Sequence, residues 1–248
     1  MKIVVNGAMG RMGRKIVEEI QKQDDLEISG LIEAPGSPLV GSYLDEVMGS
    51  GYEHIIISND LKGVAAAADA TDVLIDFSLP EGTMKILDNL EQQGTPLVCG
   101  TTGFSEEEER RLREVSEKIP VFYSTNFSPG MYLLTCALRD IVDRLPSDWD
   151  VELVEAHHRM KKDAPSGTAL GLAKILAGHT RTAVHSLRVG DVPGRHSLVF
   201  AGTGEVVEFS HSVHSRTAFA SGSLAAARFI EGKEAGWYGM DDLYGEMK

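Results

Sequence analysis

Two cysteines in 248 residues, Cys99 and Cys136, are too few for a disulfide framework, and free thiols fit a reducing cytoplasm. No run of 18 apolar residues occurs, which argues against a membrane-spanning helix, and Met1 to Asn6 is too short for a signal-peptide core. Basic residues are in deficit: 24 Lys and Arg stand against 37 Asp and Glu, a formal net charge of −13. Nucleic-acid phosphates need a basic face, and none is evident. Internal repeats and low-complexity segments are also lacking. The expectation is a cytoplasmic protein with no membrane and no nucleic-acid partner. What is present is 42% hydrophobic residues, enough for a sizeable core in one or two domains.

The N-terminal half alternates short apolar runs with helical patterns. Lys2 to Asn6 reads as a strand, followed at once by the glycine turn Gly7-Ala8-Met9-Gly10-Arg11-Met12-Gly13 and a helix over 11–23. Such a turn lets a pyrophosphate approach the backbone at a helix start. The spacing is G-x-x-G-x-x-G, weak by itself. The next strand, Leu26 to Ile32, ends in Glu33, and an acid about 20 residues past the last glycine is the expected partner of ribose hydroxyls. Further strands are expected at 54–58, 73–77, 96–99 and 121–124, with helices at 44–48, from about Leu61, from a capping-box pattern at Ser78 to Gln93, and from Ser105. This is the rhythm of a doubly wound parallel sheet. Ligands bind past the carboxyl ends of such strands, which singles out Gly7 to Met12, Asp76-Phe77-Ser78, Gly100-Thr101-Thr102-Gly103 and Ser124-Thr125-Asn126-Phe127. Each of these can equally be a plain turn; their recurrence at one edge is the argument.

Beyond Phe127 the pattern changes to a helix at 131–144, a strand at 150–158, a helix at 167–177 and three strands near 185–189, 197–201 and 206–213. Helix returns at 216–231. Strands without intervening helices indicate an α+β domain with an open mixed sheet. The expected domains are 1–127 with 216–248, and 128–215. The stretch Glu155 to Thr168, E-A-H-H-R-M-K-K-D-A-P-S-G-T, crowds titratable groups against a helix start. His157 and His158 point to opposite faces of a strand, so they need not share a role. Ser166 reads as an N-cap, leaving the amides of Gly167 and Thr168 as an anion corner. One histidine, Lys161 and that corner suit a carboxylate-bearing substrate that exchanges a proton. Taken singly, each residue is as readily structural; a metal site is disfavoured because adjacent histidines diverge and no further ligand has a zinc-like spacing.

Those residues resemble the dihydrodipicolinate reductase family. The resemblance covers almost the whole chain through G-A-M-G-R-M-G, D-F-S, C-G-T-T-G-F, N-F-S, E-A-H-H-R-M-K-K-D-A-P-S-G-T-A and G-D-V-P-G-R-H. It implies an NAD(P)H-dependent oxidoreductase of lysine and diaminopimelate biosynthesis acting on a small cyclic dicarboxylate, with a Rossmann-like domain and self-association into a homotetramer through the second sheet. By position, His157 and Lys161 would be catalytic, and His158, Ser166, Gly167, Thr168 and Thr102 would hold substrate. Gly7, Ala8, Met9, Gly10, Arg11, Met12, Glu33, Phe77, Gly100, Thr101, Thr102 and Ser124 to Phe127 would hold the cofactor. Met160 stands where many members carry a third histidine, and 178–184 is short for the family. Alternatives of other classes are a non-catalytic dinucleotide sensor, marked by loss of His157 or Lys161, and another amino-acid or sugar dehydrogenase, which would not need A-P-S-G-T beside paired histidines.

Cofactor choice has its own signal. Members that favour NADPH place an arginine after the ribose-binding acid, whereas Glu33 is followed by Ala34, and Lys22 is the only cation between Lys15 and Lys62. Both cofactors are expected to work, NADH better than NADPH, with Arg11 the group able to reach a 2′-phosphate.

Overall fold

The computed structural model describes residues 1–61, 64, 71–177 and 182–245. They form two compact units, Met1–Phe127 with Phe219–Lys248, and Ser128–Ala218.

The first unit is built on a seven-stranded, wholly parallel sheet. Its strands are β1 (Lys2–Asn6), β2 (Glu27–Ile32), β3 (Ile57–Ser58), β4 (Val73–Asp76), β5 (Leu97–Cys99), β6 (Pro120–Tyr123) and β11 (Gly236–Tyr238), in the order β11-β6-β5-β4-β1-β2-β3. Both faces of a parallel sheet are covered, so its strands alternate between two cores rather than between core and water. Ile3, Val5, Ile75 and Phe122 pack with helices α1 (Arg11–Ile20) and α7 (Thr217–Ile230). Their neighbours Val4, Leu74 and Val121 pack on the other side with α3 (Pro80–Gln93) and α4 (Glu106–Ser116). Two short helices, α2 (Leu44–Met48) and α8 (Met240–Tyr244), also lie among the described residues of this unit.

Several expectations need adjustment. Strand 54–58 shrinks to the two residues of β3, and the segment around Trp237, given no element from the sequence, supplies an edge strand. The alanine-rich helix from Leu61 falls largely outside the described residues. Ser78 does not cap α3. Its hydroxyl donates to the Leu79 carbonyl (3.1 Å) and accepts from Asn6 Nδ2 (3.2 Å), while its N–H donates to Asp76 (3.1 Å) and to Thr101 (3.0 Å), so Leu79 is the N-cap and Pro80, which has no N–H to satisfy, begins the helix. Ser105 does cap α4, accepting from the Glu108 amide (3.3 Å) while Glu108 accepts from the Ser105 amide (2.8 Å).

The second unit is a four-stranded sheet, order β10-β9-β7-β8, from β7 (Asp150–His157), β8 (Thr182–Arg188), β9 (Gly194–Gly202) and β10 (Glu205–Val213). Only β7 and β8 run parallel, joined through α6 (Gly167–Leu176); the other pairs are antiparallel. Together with α5 (Pro129–Val142), α6 covers one face, where Leu134, Leu138, Val151, Leu153, Leu172 and Leu198 form the core. Leu187 and Val206 are exposed on the opposite side of the sheet. Residues 178–181, within the segment that is short for the family, lie outside the described residues.

Candidate active site

In the first unit the glycine turn lies between β1 and α1. Gly7 adopts φ +72°, and a Cβ there would fall 2.7 Å from the Phe77 carbonyl. Gly13 is tighter still, because a side chain would meet the Gly7 carbonyl oxygen at 2.1 Å, so α1 rests directly on the turn. The amides of Gly7 and Ala8 donate to the Ile32 carbonyl (2.9 and 3.0 Å), and no side chain caps the first turn of α1. Buried Ala8 and Met9, exposed Gly10 and Arg11, and half-buried Met12 thus form a backbone-lined helix start that fits a pyrophosphate. Glu33 sits beside it, accepting from the Met9 amide at 2.9 Å. Turn and acid, twenty residues apart in the chain, thus meet in space.

The neighbouring strand ends are tied by Asp76, which is completely buried. It accepts from Asn6 Nδ2 (2.9 Å), the Ser78 amide (3.1 Å), Thr101 Oγ1 (3.1 Å) and the Thr83 hydroxyl. Burial raises its pKa, opposed by these hydrogen bonds. Thr101 is consequently committed inward, leaving Thr102 as the exposed hydroxyl of its loop. Gly100 packs against Phe77, whose ring lies 5.3 Å from that of buried Phe127. The Ser124 hydroxyl donates to the Asn126 carbonyl (2.7 Å), folding the loop around exposed Thr125.

In the second unit the chemistry collects at the carboxyl end of β7. Val151, Leu153, Glu155 and His157 alternate onto the helix-covered face, so Glu155 is fully buried and His157 is 9% exposed. Nδ1 of His157 hydrogen-bonds Glu155 Oε2. The Arg188 guanidinium grips the same carboxylate with two bonds, 2.9 Å to Oε2 and 2.8 Å to Oε1, and the Ser166 amide adds a third at 3.3 Å. The β7–β8 register sets Arg188 beside His157. Burial by itself would raise the Glu155 pKa; hydrogen bonds from Arg188, Ser186 and His157 overcome it and bring it down to about 2. Burial lowers the His157 pKa, with Glu155 pulling against it. Across the sheet on β9, buried His196 has its ring 5.3 Å from that of His157 and is pushed down to about 4 by burial and by the charge of His157.

His158 follows the strand and is half-buried. Lys161 holds Asp163 at 2.9 Å, and its backbone amide donates to the His158 carbonyl (3.1 Å), a turn that keeps it close to the histidines. Ser166 is the N-cap of α6, accepting from the Ala169 amide (3.2 Å) and bonding His196 Nε2 (3.3 Å). Gly167 beyond it is exposed and Thr168 half-exposed. A histidine, an ammonium and a helix start thus lie within one short stretch, an arrangement able to hold an anion and move a proton.

Models of the dihydrodipicolinate reductase N-terminus and C-terminus match residues 1–127 and 130–244. The chain belongs to the dihydrodipicolinate reductase family. Among relatives of this reductase family, the 4-hydroxy-tetrahydrodipicolinate reductase of Nitrosomonas eutropha is 39% identical, over 99% of this chain and 98% of its own. That of Geobacter sp. strain M21 is 36% identical over 99% of both. In fold, the chain resembles the dipicolinate-bound dihydrodipicolinate reductase from Paenisporosarcina sp. TG-14, with a TM-score of 0.75, 20% identity and 98% of each chain covered.

Three residues of the cluster around His157 had no assigned role from the sequence: Glu155, Arg188 and His196. Glu155 had a usable signal, since a residue two before His157 on a strand shares its face. His196 closes the motif G-D-V-P-G-R-H, which marks it without saying what it touches, and Arg188 had no signal; only the pairing of β8 and β9 with β7 brings the two there.

Proposed function

We propose that this chain reduces dihydrodipicolinate, formed as 4-hydroxy-tetrahydrodipicolinate loses water, to tetrahydrodipicolinate in lysine and diaminopimelate biosynthesis, using NAD(P)H. The bound nicotinamide supplies the hydride. His157 and Lys161 carry the accompanying proton, while His158, Gly167, Thr168 and Thr102 hold the substrate carboxylates through charge and amide hydrogen bonds; Ser166, expected among them, is buried with its amide on Glu155 and its hydroxyl on Ala169 and His196, so it supports that corner from behind. The observation that carries this reading is the buried Glu155–His157 pair beside Lys161 and the α6 start, a proton site next to an anion site. On the nucleotide side, Gly7 to Met12 take the pyrophosphate and Glu33 the ribose hydroxyls, with Phe77, Gly100 to Thr102 and Ser124 to Phe127 at the nicotinamide end. Ala34 after Glu33 supports a preference for NADH, because a 2′-phosphate would face that carboxylate with no cation in the following loop. The exposed Leu187 and Val206 support self-association through the second sheet into a homotetramer. The cytoplasm is the expected location.

The test is oxidation of NADH followed optically with enzymatically generated substrate, with pyridine-2,6-dicarboxylate as inhibitor. Substrate-dependent oxidation that this planar dicarboxylate blocks is the expected result. Tight NADH binding with no turnover would instead leave a dinucleotide-binding protein without this activity.

A further inference from the structure

The Glu155–Arg188 pair belongs to neither ligand site and is costly to bury, which asks for a reason. Fully buried Glu155 loses hydration that its attraction to half-buried Arg188 only partly returns, and apolar replacements of such pairs are often as stable. Yet both oxygens of Glu155 are engaged, by two Arg188 nitrogens, the Ser166 amide and His157 Nδ1. Arg188 in turn is fixed from its own strand and beyond, donating to the carbonyls of Leu187 (2.7 Å) and Asp163. Such a bidentate pair has one planar geometry, so the carboxylate cannot rotate away from the imidazole.

The chemical consequence lies in the imidazole. An ionised carboxylate is an acceptor only, so Nδ1 must carry the proton in the bond to Glu155. In neutral His157 that leaves Nε2 as the bare nitrogen. Gly194 lies next to this atom: a Cβ at Gly194 would come within 3.3 Å of Nε2. The side on which Nε2 stands is therefore kept open by the absence of a side chain, while the Nδ1 side is fully occupied.

We propose that Glu155, locked by Arg188, is a positioning residue that fixes His157 as the Nδ1–H tautomer, so that Nε2 is the atom exchanging the proton of the reaction. This rests on the reductase reading above. When His157 is protonated, Nε2–H is the acid; once that proton has left, Nδ1–H remains on Glu155 and the ring returns to its starting tautomer. The charged and titratable groups facing His157 are Glu155 on β7, Arg188 on β8, His196 on β9 and Lys161 in the following loop. Glu155 is the one among them that raises its pKa.

The experiment compares wild type with Glu155→Gln and with the double variant Glu155→Gln/Arg188→Met, which removes the carboxylate and its counter-ion together and serves if the single variant does not fold. The readouts are kcat/KM against pH and the ¹⁵N shifts of His157. With the carboxylate gone, kcat is expected to fall by on the order of 100-fold, and the pH limb belonging to His157 to move to lower pH. The ring should shift toward the Nε2–H form, since a glutamine amide can donate to Nδ1. A retained Nδ1–H signature together with an unmoved pH limb in either folded variant would overturn the proposal, however much activity was lost, because a merely structural role predicts that outcome. His157→Gln is run alongside. If it turns over normally the catalytic reading fails, whereas the tautomer measurement still decides what Glu155 does.

Discussion

Ser166 caps α6 and also supports His196, so replacing it separates two energies that the structure superimposes. Its hydroxyl accepts from the Ala169 amide at 3.2 Å and bonds His196 Nε2 at 3.3 Å, and it is 1% exposed. Ser166→Ala forfeits the cap, about 1 kcal/mol, and leaves a buried imidazole nitrogen without its partner, about 2 kcal/mol more. For a chain of this size ~3 kcal/mol corresponds to a fall in Tm of roughly 6–12 °C. Ser166→Gly keeps most of the cap preference, since glycine there costs only a few tenths of a kcal/mol, but loses the same support of His196. It should therefore melt about 2–4 °C above the alanine variant and still clearly below wild type. Calorimetry of the three proteins at one pH, with no ligand, is the assay. A glycine variant as stable as wild type would refute the His196 contribution, and identical alanine and glycine variants would refute the capping term. KM for the dicarboxylate should rise in both, as the Gly167 and Thr168 amides lose their anchor.

Three more outcomes are expected. His157→Ala and Lys161→Ala should each lower kcat by ~100-fold or more with NADH affinity, read by fluorescence quenching, nearly unchanged; a double variant with near-normal turnover would sink the assignment. Wild-type kcat/KM should favour NADH over NADPH by roughly 1 kcal/mol, the scale of one exposed charge interaction, and Ala34→Arg should shift the ratio toward NADPH; a higher wild-type value with NADPH would point to Arg11 instead. Stability should decline on acidification in two windows: His196, depressed to about 4, contributes above its unfolded value of 6.5 and loses this as the unfolded chain protonates between them. Glu155, depressed to about 2, adds a further loss below its unfolded 4.5. Denaturant titrations at pH 7.5, 5 and 3.5 measure both, and a flat profile would contradict the burial of His196 and the pairing of Glu155 with Arg188.

The elements that the sequence announced are those whose burial follows one period. β1 and α2 have the expected bounds because apolar spacing and turn residues agree there. The Ser105 cap was legible because its partner, Glu108, is three residues away. At Ser78 the same local pattern misled, since Asp76 and Thr101 take its N–H through contacts that no neighbour in sequence reveals. β11 has three residues, too few for a period to show, and exists only because the edge of β6 was free to pair. The proton site was half legible: His157 and Lys161 stand in one motif, but the groups that set the state of His157 arrive from strands whose register is a property of the folded sheet.

Phe127 and Gly222 touch so closely that a Cβ on Gly222 would fall 1.8 Å from the Phe127 carbonyl oxygen. The whole of the second unit thus departs from and returns to almost the same point of the first, as an insert spliced into a host. Translation reaches the insert before the host has α7 and β11, whose residues complete a core already containing Ile3, Val5 and Ile16. The nascent host must wait with an open sheet edge and an uncovered apolar face while the insert, contiguous in sequence, folds. Its period of greatest exposure to aggregation and to chaperones falls late in synthesis, and any premature stop after residue 218 yields a finished insert on an unfinished host.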